Sequence, residues 1–92
     1  MDILAQVVER IIEEQEKIIG PIALEQARKV EGLSVDWDKH EVVLTGNEKN
    51  ILEKLVRNYE SFFGRASIEV CKDAARTIAD KSPNDLPDIL KS

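Results

Sequence analysis

The chain has few of the residues from which chemical sites are usually built. Cys71 is its one cysteine, so no internal disulfide can form and no cysteine-based metal site is supported, which suits a reducing cytoplasm. His40 is its one histidine, and any imidazole-assisted nucleophile would have to recruit that side chain. The only aromatic residues are Trp37, Tyr59, Phe62 and Phe63, too few for a platform on which bases or sugars stack. Lys+Arg number 13 against Asp+Glu 18, a net charge of −5, so no broad positive field exists to draw nucleic acid or an anionic membrane. No run approaches the ~18–20 apolar residues of a membrane-spanning helix, and Met1-Asp2 begins without the basic and apolar regions of a secretion signal. Glycine-rich phosphate loops, nucleophile elbows and His-Glu-x-x-His pairs are missing as well. These absences point away from an enzyme: no catalytic residue, metal ligand or cofactor is expected.

What the sequence does contain is a pattern that occurs twice. Ile18-Ile19-Gly20-Pro21-Ile22-Ala23-Leu24-Glu25-Gln26-Ala27-Arg28 matches, in residue character, Phe62-Phe63-Gly64-Arg65-Ala66-Ser67-Ile68-Glu69-Val70-Cys71-Lys72 at a constant offset of 44 positions (Gly64 against Gly20). The match extends upstream to Ile12 with Val56 and Glu16 with Glu60. The spacing predicts two related bent helical units, over about 3–31 and 47–80, joined by something different.

Apolar pairs at three-four spacing, Ile3/Leu4, Val7/Val8, Ile11/Ile12, Ile18/Ile19, Ile22/Ala23 and Ala27/Val30, define the first amphipathic stripe, with Gln15 as its one interruption. Asp2 suits the helix start, and the solvated face carries Glu9, Arg10, Glu13, Glu14, Glu16 and Lys17, with Glu13 and Lys17 as an i,i+4 pair. Pro21 cannot donate its backbone hydrogen bond, so a bend is expected there, with a second helix from Pro21 to about Glu31 and Gly32 as its C-cap. The second stripe runs through Ile51/Leu52, Leu55/Val56, Tyr59, Phe62/Phe63, Ala66, Val70, Ala74 and Ile78, with Asn47 preferred as N-cap over a Thr45/Glu48 capping box. It has no proline, and a glycine costs only about 1 kcal/mol in a helix, so a continuous or mildly bent helix is expected through Gly64.

Between the units, Leu33, Val35 and Trp37 alternate with Ser34 and Asp36, and Val42-Val43-Leu44-Thr45 follows Asp38-Lys39-His40. This predicts a β-hairpin over about 33–45 with a turn of three residues. A lone hairpin is marginal in water, so a helix face or a second copy must cover it. Ser82-Pro83-Asn84-Asp85 announces a short helix over about 83–91. The fold class is thus α+β, mostly helical, in a single domain over residues 1–92.

Gly20, Ala23 and Ala27, with Gly64, Ser67 and Cys71, make a ladder of small residues that lets helix backbones approach closely. They and Trp37, which anchors the hairpin or sits in an interface, are the candidates for an interface or groove. An alternative is an apolar pocket for a small molecule or lipid tail between the bent helices, lined by Ile18, Ile22, Phe62, Phe63 and Ala66. Asp36, Asp38 and His40 share one side of an extended segment but read better as turn-forming residues than as metal ligands. Glu16 with Glu60 and Glu25 with Glu69 lack the Glu-x-x-His element of a di-iron bundle.

The Ile18-Ile19-Gly20-Pro21-Ile22-Ala23 stretch, its downstream Ala27 and the later Phe63-Gly64 copy resemble a short helical module of bacterial signalling proteins, often attached to kinase or response-regulator chains. The resemblance covers the helical repeats and not the hairpin. It implies an interaction role and carries no catalytic residue over. A chain of 92 residues buries roughly 60–70% of its unfolded surface, a thin margin that a second copy would widen. The expectation is a cytoplasmic, non-catalytic interaction or regulatory module acting as a homodimer.

Overall fold

Among the described residues, two glycines cut the helical pattern into four rods. The computed structural model describes residues 3–79 and Leu90. Helix α1 spans Ile3–Ile19, α2 Ile22–Arg28, α3 Glu48–Phe63 and α4 Ala66–Ala79, with strands β1 Leu33–Asp36 and β2 Glu41–Leu44 between α2 and α3. The α+β, mostly helical class follows from the periodicities. Asp2 and the short helix expected over 83–91 lie outside the described residues, apart from Leu90, which is buried against the core.

The break at Gly64 corrects the expectation of a continuous or mildly bent second helix. Gly20 and Gly64 both take left-handed φ values, 72° and 79°, which glycine adopts without the steric penalty other residues meet. Each N–H still completes the preceding helix, Gly20 to the Glu16 carbonyl at 2.9 Å and Gly64 to the Glu60 carbonyl at 2.8 Å. Each carbonyl then accepts from the first turn of the next helix, from Ala23 and from Ser67, both at 3.1 Å. The glycine rather than Pro21 sets the corner, since the corner without a proline is built in the same way. A helical glycine costs little, but the left-handed conformation, once taken, ends the helix outright.

Helix α2 also stops sooner than its spacing implies. Its last residue is Arg28, and Gly32 serves a different purpose from a helix cap. With φ at +87°, Gly32 turns the chain into β1, and its carbonyl accepts from the Thr45 N–H at 2.7 Å, closing the base of the hairpin. A Cβ there would lie 2.7 Å from the Thr45 carbonyl oxygen and 3.0 Å from Ile51 Cδ1.

The strands pair antiparallel, Leu33 with Leu44, Ser34 with Val43, Val35 with Val42 and Asp36 with Glu41. Period-two alternation turns Leu33, Val35, Val42 and Leu44 to the core and leaves Ser34 and Val43 exposed. The turn has four residues rather than three and takes in Trp37, whose carbonyl accepts from the His40 N–H at 3.1 Å while Asp36 Oδ1 accepts from the Lys39 N–H at 3.3 Å. Helices of the same chain cover the hairpin, β2 against α1 and β1 against α2, so it needs no second copy. Helix α3 starts as expected, with the Asn47 side chain accepting from the Asn50 N–H at 3.0 Å.

The core is aliphatic. Val7, Val8, Ile11 and Ile12 of α1 and Leu52, Leu55 and Val56 of α3 are fully buried, joined by Ala23, Ala27 and Cys71. Burial of each large side chain stabilises the fold by ~1.5–3 kcal/mol. Helix α1 makes its broadest contact with α4, the second helix of the other unit.

The glycines separate two kinds of constraint. Gly20→Ala and Gly64→Ala, with open space around the added Cβ, are expected to lose about 1–2 kcal/mol each from the left-handed φ alone. Gly32→Ala adds a backbone clash and should lose more than either. Urea unfolding midpoints of the three variants check the order.

Candidate functional site

The small-residue ladder lies inside the chain. Ala23, Ala27, Ser67 and Cys71 are buried, whereas Gly20 is half-buried, Gly64 is exposed, and neither glycine has an atom within 4 Å of where a Cβ would stand. The glycines make corners, and the four residues after them make the seam. That seam carries three buried hydrogen bonds, two from Gln15 and one from Tyr59. The Tyr59 hydroxyl at the end of α3 donates to the Ala23 carbonyl in the first turn of α2 at 2.7 Å. The Gln15 amide near the end of α1 donates to the Ser67 carbonyl in the first turn of α4 at 3.1 Å and contacts Cys71 Sγ at 3.5 Å. Read from sequence, Gln15 is an interruption of an apolar stripe; in the fold it is a buried linker, and the signal for that was its place on the buried face.

These surroundings settle what Cys71 can do. Burial pushes its thiol up to about 11, partly offset by the Gln15 amide, so the nucleophilic thiolate is scarce at neutral pH. Burial likewise holds the Tyr59 phenol well above its usual range, with the nearby Cys71 and Glu16 charges adding to the effect. Both side chains take part in the buried hydrogen bonds of the seam.

The alternative pocket residues sit at the surface. Ile18, Ile22, Phe62, Phe63 and Ala66 are all exposed, with the Phe62 and Phe63 rings 6.1 Å apart and Lys29 Nζ 6.0 Å from the Phe62 ring centre. A groove of about 330 Å³ between α1 and α4 takes in Ile18 with Val70 and Ala74, but Arg10, Glu14 and Asp73 also line it, an ill-suited wall for a lipid tail. Because Tyr59 reaches Ala23 and Gln15 reaches Ser67, both glycine corners lie at one end of the bundle. Of the exposed apolar residues, Ile18 and Ile22 flank the first corner and Phe62 and Phe63 precede the second.

The hairpin turn makes a second cluster. Trp37 is half-buried against the core and its ring centre lies 4.7 Å from that of His40, so it anchors the hairpin. His40 holds a left-handed φ of 52° and sets Nδ1 3.2 Å from Glu9 Oε1 on α1. Its companions are Glu9 and Glu13, not Asp36 and Asp38, and the ligand atoms of the three lie within 4.8 Å of one another. Lys17, expected opposite Glu13, pairs instead with Glu14 at 3.3 Å. Sequence reasoning assigned Glu9 and Glu13 to a solvated face; their one-turn spacing was visible, the arrival of the hairpin beside them was not. Among the described residues no helix is long and apolar enough to cross a membrane. Comparison with protein-family models, curated proteins and solved structures finds no match.

Linkage gives a test of the seam. The unfolded Cys71 thiol releases its proton near 9.0 and the native one near 11, so between these values the unfolded state binds fewer protons and stability falls as pH rises. Stability is complete below pH 9.0, and Tyr59 adds a further loss above its unfolded value of 10.0. Urea midpoints should decline over this window, with a shallower decline in Cys71→Ser. At neutral pH a thiol reagent should modify Cys71 only as fast as the chain opens.

Proposed function

We propose that the chain is a non-catalytic protein–protein interaction module that pairs with a second copy of itself through the end of the bundle bearing the two glycine corners. The observation that carries this reading is the exposure of its large apolar side chains there: Ile18 is 64% exposed, Ile22 42%, Phe62 59% and Phe63 36%, in a chain whose other large apolar side chains, Val43 apart, are mostly buried among the described residues. At roughly 200 Å² for a fully exposed side chain of this size, they present about 400 Å² of apolar surface. The largest apolar patch on a small protein is often of about this extent and is often functional.

A second copy fits because the surface pairs like with like. Ile18 and Phe62 occupy corresponding places before the two corners, and the bonds from Gln15 to Ser67 and from Tyr59 to Ala23 join residues that correspond across the offset of 44. We read this as a pseudo-twofold relation between the units. In an isologous dimer the same patch of each chain would meet its counterpart. The modest area puts the association at the weak, micromolar end of specific interfaces. The module works in a reducing cytoplasm, with Cys71 kept as a thiol inside the fold. The resemblance of the Gly-Pro-Ile-Ala stretch to modules of bacterial signalling chains supports an interaction role of this kind.

Sedimentation equilibrium over the micromolar range tests the reading. The weight-average mass should rise from the 10.4 kDa of one chain toward twice that value. Ile18→Asp with Phe62→Asp should hold it at one chain while far-ultraviolet circular dichroism stays unchanged, because both side chains are exposed in the monomer. A mass that stays at one chain for the unaltered protein would sink the proposal.

A further inference from the structure

The geometry points to a binding site for a divalent first-row transition-metal ion, Zn²⁺ in the simplest case, at Glu9, Glu13 and His40. Glu9 and Glu13 are one turn apart on α1 and project from the same face. The hairpin turn delivers the chain's single imidazole to them, with Nδ1 3.2 Å from Glu9 Oε1. One nitrogen and two carboxylate oxygens, all within 4.8 Å of one another, form a mixed donor set of the kind that open zinc sites use. A tetrahedral ion with bonds of about 2.0–2.1 Å needs its ligand atoms roughly 3.4 Å apart, a contraction within reach of two flexible glutamate side chains. The imidazole favours a transition ion over Mg²⁺ or Ca²⁺, which prefer oxygen alone.

An independent feature is the space beside the cluster. A cavity of about 210 Å³ is lined by Ala5, Glu9, His40, Glu41, Val42 and Val43, so two of the three ligands also form its wall. An ion held by three protein atoms would keep its remaining position toward this cavity, open to water or a small anion. Glu41 lines the same wall. The ring of Trp37, 4.7 Å from that of His40, fixes one side of the imidazole and supplies a built-in reporter, since the chain has no other tryptophan. Bound there, the ion would tie the hairpin to α1, and its binding would add to the stability of the fold.

Calorimetric titration of the full chain with Zn²⁺ alone, and titration with Ni²⁺ followed by Trp37 fluorescence, test the site. One ion per chain is expected with a dissociation constant in the micromolar range, accompanied by a rise in the thermal midpoint and quenching by Ni²⁺. His40→Asn, chosen because asparagine tolerates a left-handed φ, should weaken binding by at least tenfold and abolish the thermal shift. Glu13→Gln should weaken it about tenfold, and Glu14→Gln, which alters the neighbouring carboxylate, should not. Zn²⁺ binding no tighter than millimolar, or equal binding by the His40→Asn variant, would overturn the proposal. The circular dichroism of each variant without metal separates loss of ligand from loss of fold.

Discussion

The Tyr59 hydroxyl meets the Ala23 carbonyl and the Gln15 amide meets the Ser67 carbonyl, each across a seam of small side chains. Ala23, Ala27, Ser67 and Cys71 bring the backbones close enough for a single side chain to span the gap, and burial then makes each bond expensive to lose. Other features depend on this crossing. The helix breaks must fall where they do for a first turn to face the end of a long helix. Both glycines must therefore accept left-handed φ, and the corners they form expose the residues just before them. Ile18 and Phe62 are left outside by the same geometry that buries Ile11 and Leu55.

The hairpin is fixed by a separate constraint. Gly32 takes a conformation and a space that no other residue could share, and the bond from Thr45 to its carbonyl sets the strand register. Register in turn decides the faces, because a slip of β2 by one residue would turn Val42 and Leu44 to solvent. Once the inward face rests on α1 and α2, the turn must lie beside Glu9. The position of His40 is thus inherited from a glycine eight residues earlier in the chain.

Much of the fold could be read from the residues, wherever the determining forces were local. Apolar periodicity located both helical units, Asn47 announced the start of α3, and alternation from Leu33 to Val35 and Val42 to Leu44 defined the hairpin and its inner face. Errors arose where two local choices were close in energy and distant contacts chose between them. A glycine at position 64 is compatible with a helix, and the seam tips it to the left-handed state. Trp37 has strand propensity, yet the ring does more in the turn, against His40 and the core. The candidate sites were the least legible. The cluster at His40 joins residues 31 positions apart in sequence, Glu9 to His40, and no spacing rule reaches that far. The exposed end looked apolar in sequence, as the core did, and only the fold separates the two.

The way the four helices exchange neighbours has a consequence for how the chain can come apart. Helix α1 is covered chiefly by α4, and α2 caps the end of α3 through Tyr59, so neither half of the sequence closes over its own apolar stripe. Each half is incomplete in the way a single strand of a braid is incomplete. The linking hairpin therefore acts as a tether that sets the local concentration of one half about the other, and cooperativity between the halves is a matter of topology rather than of any single contact.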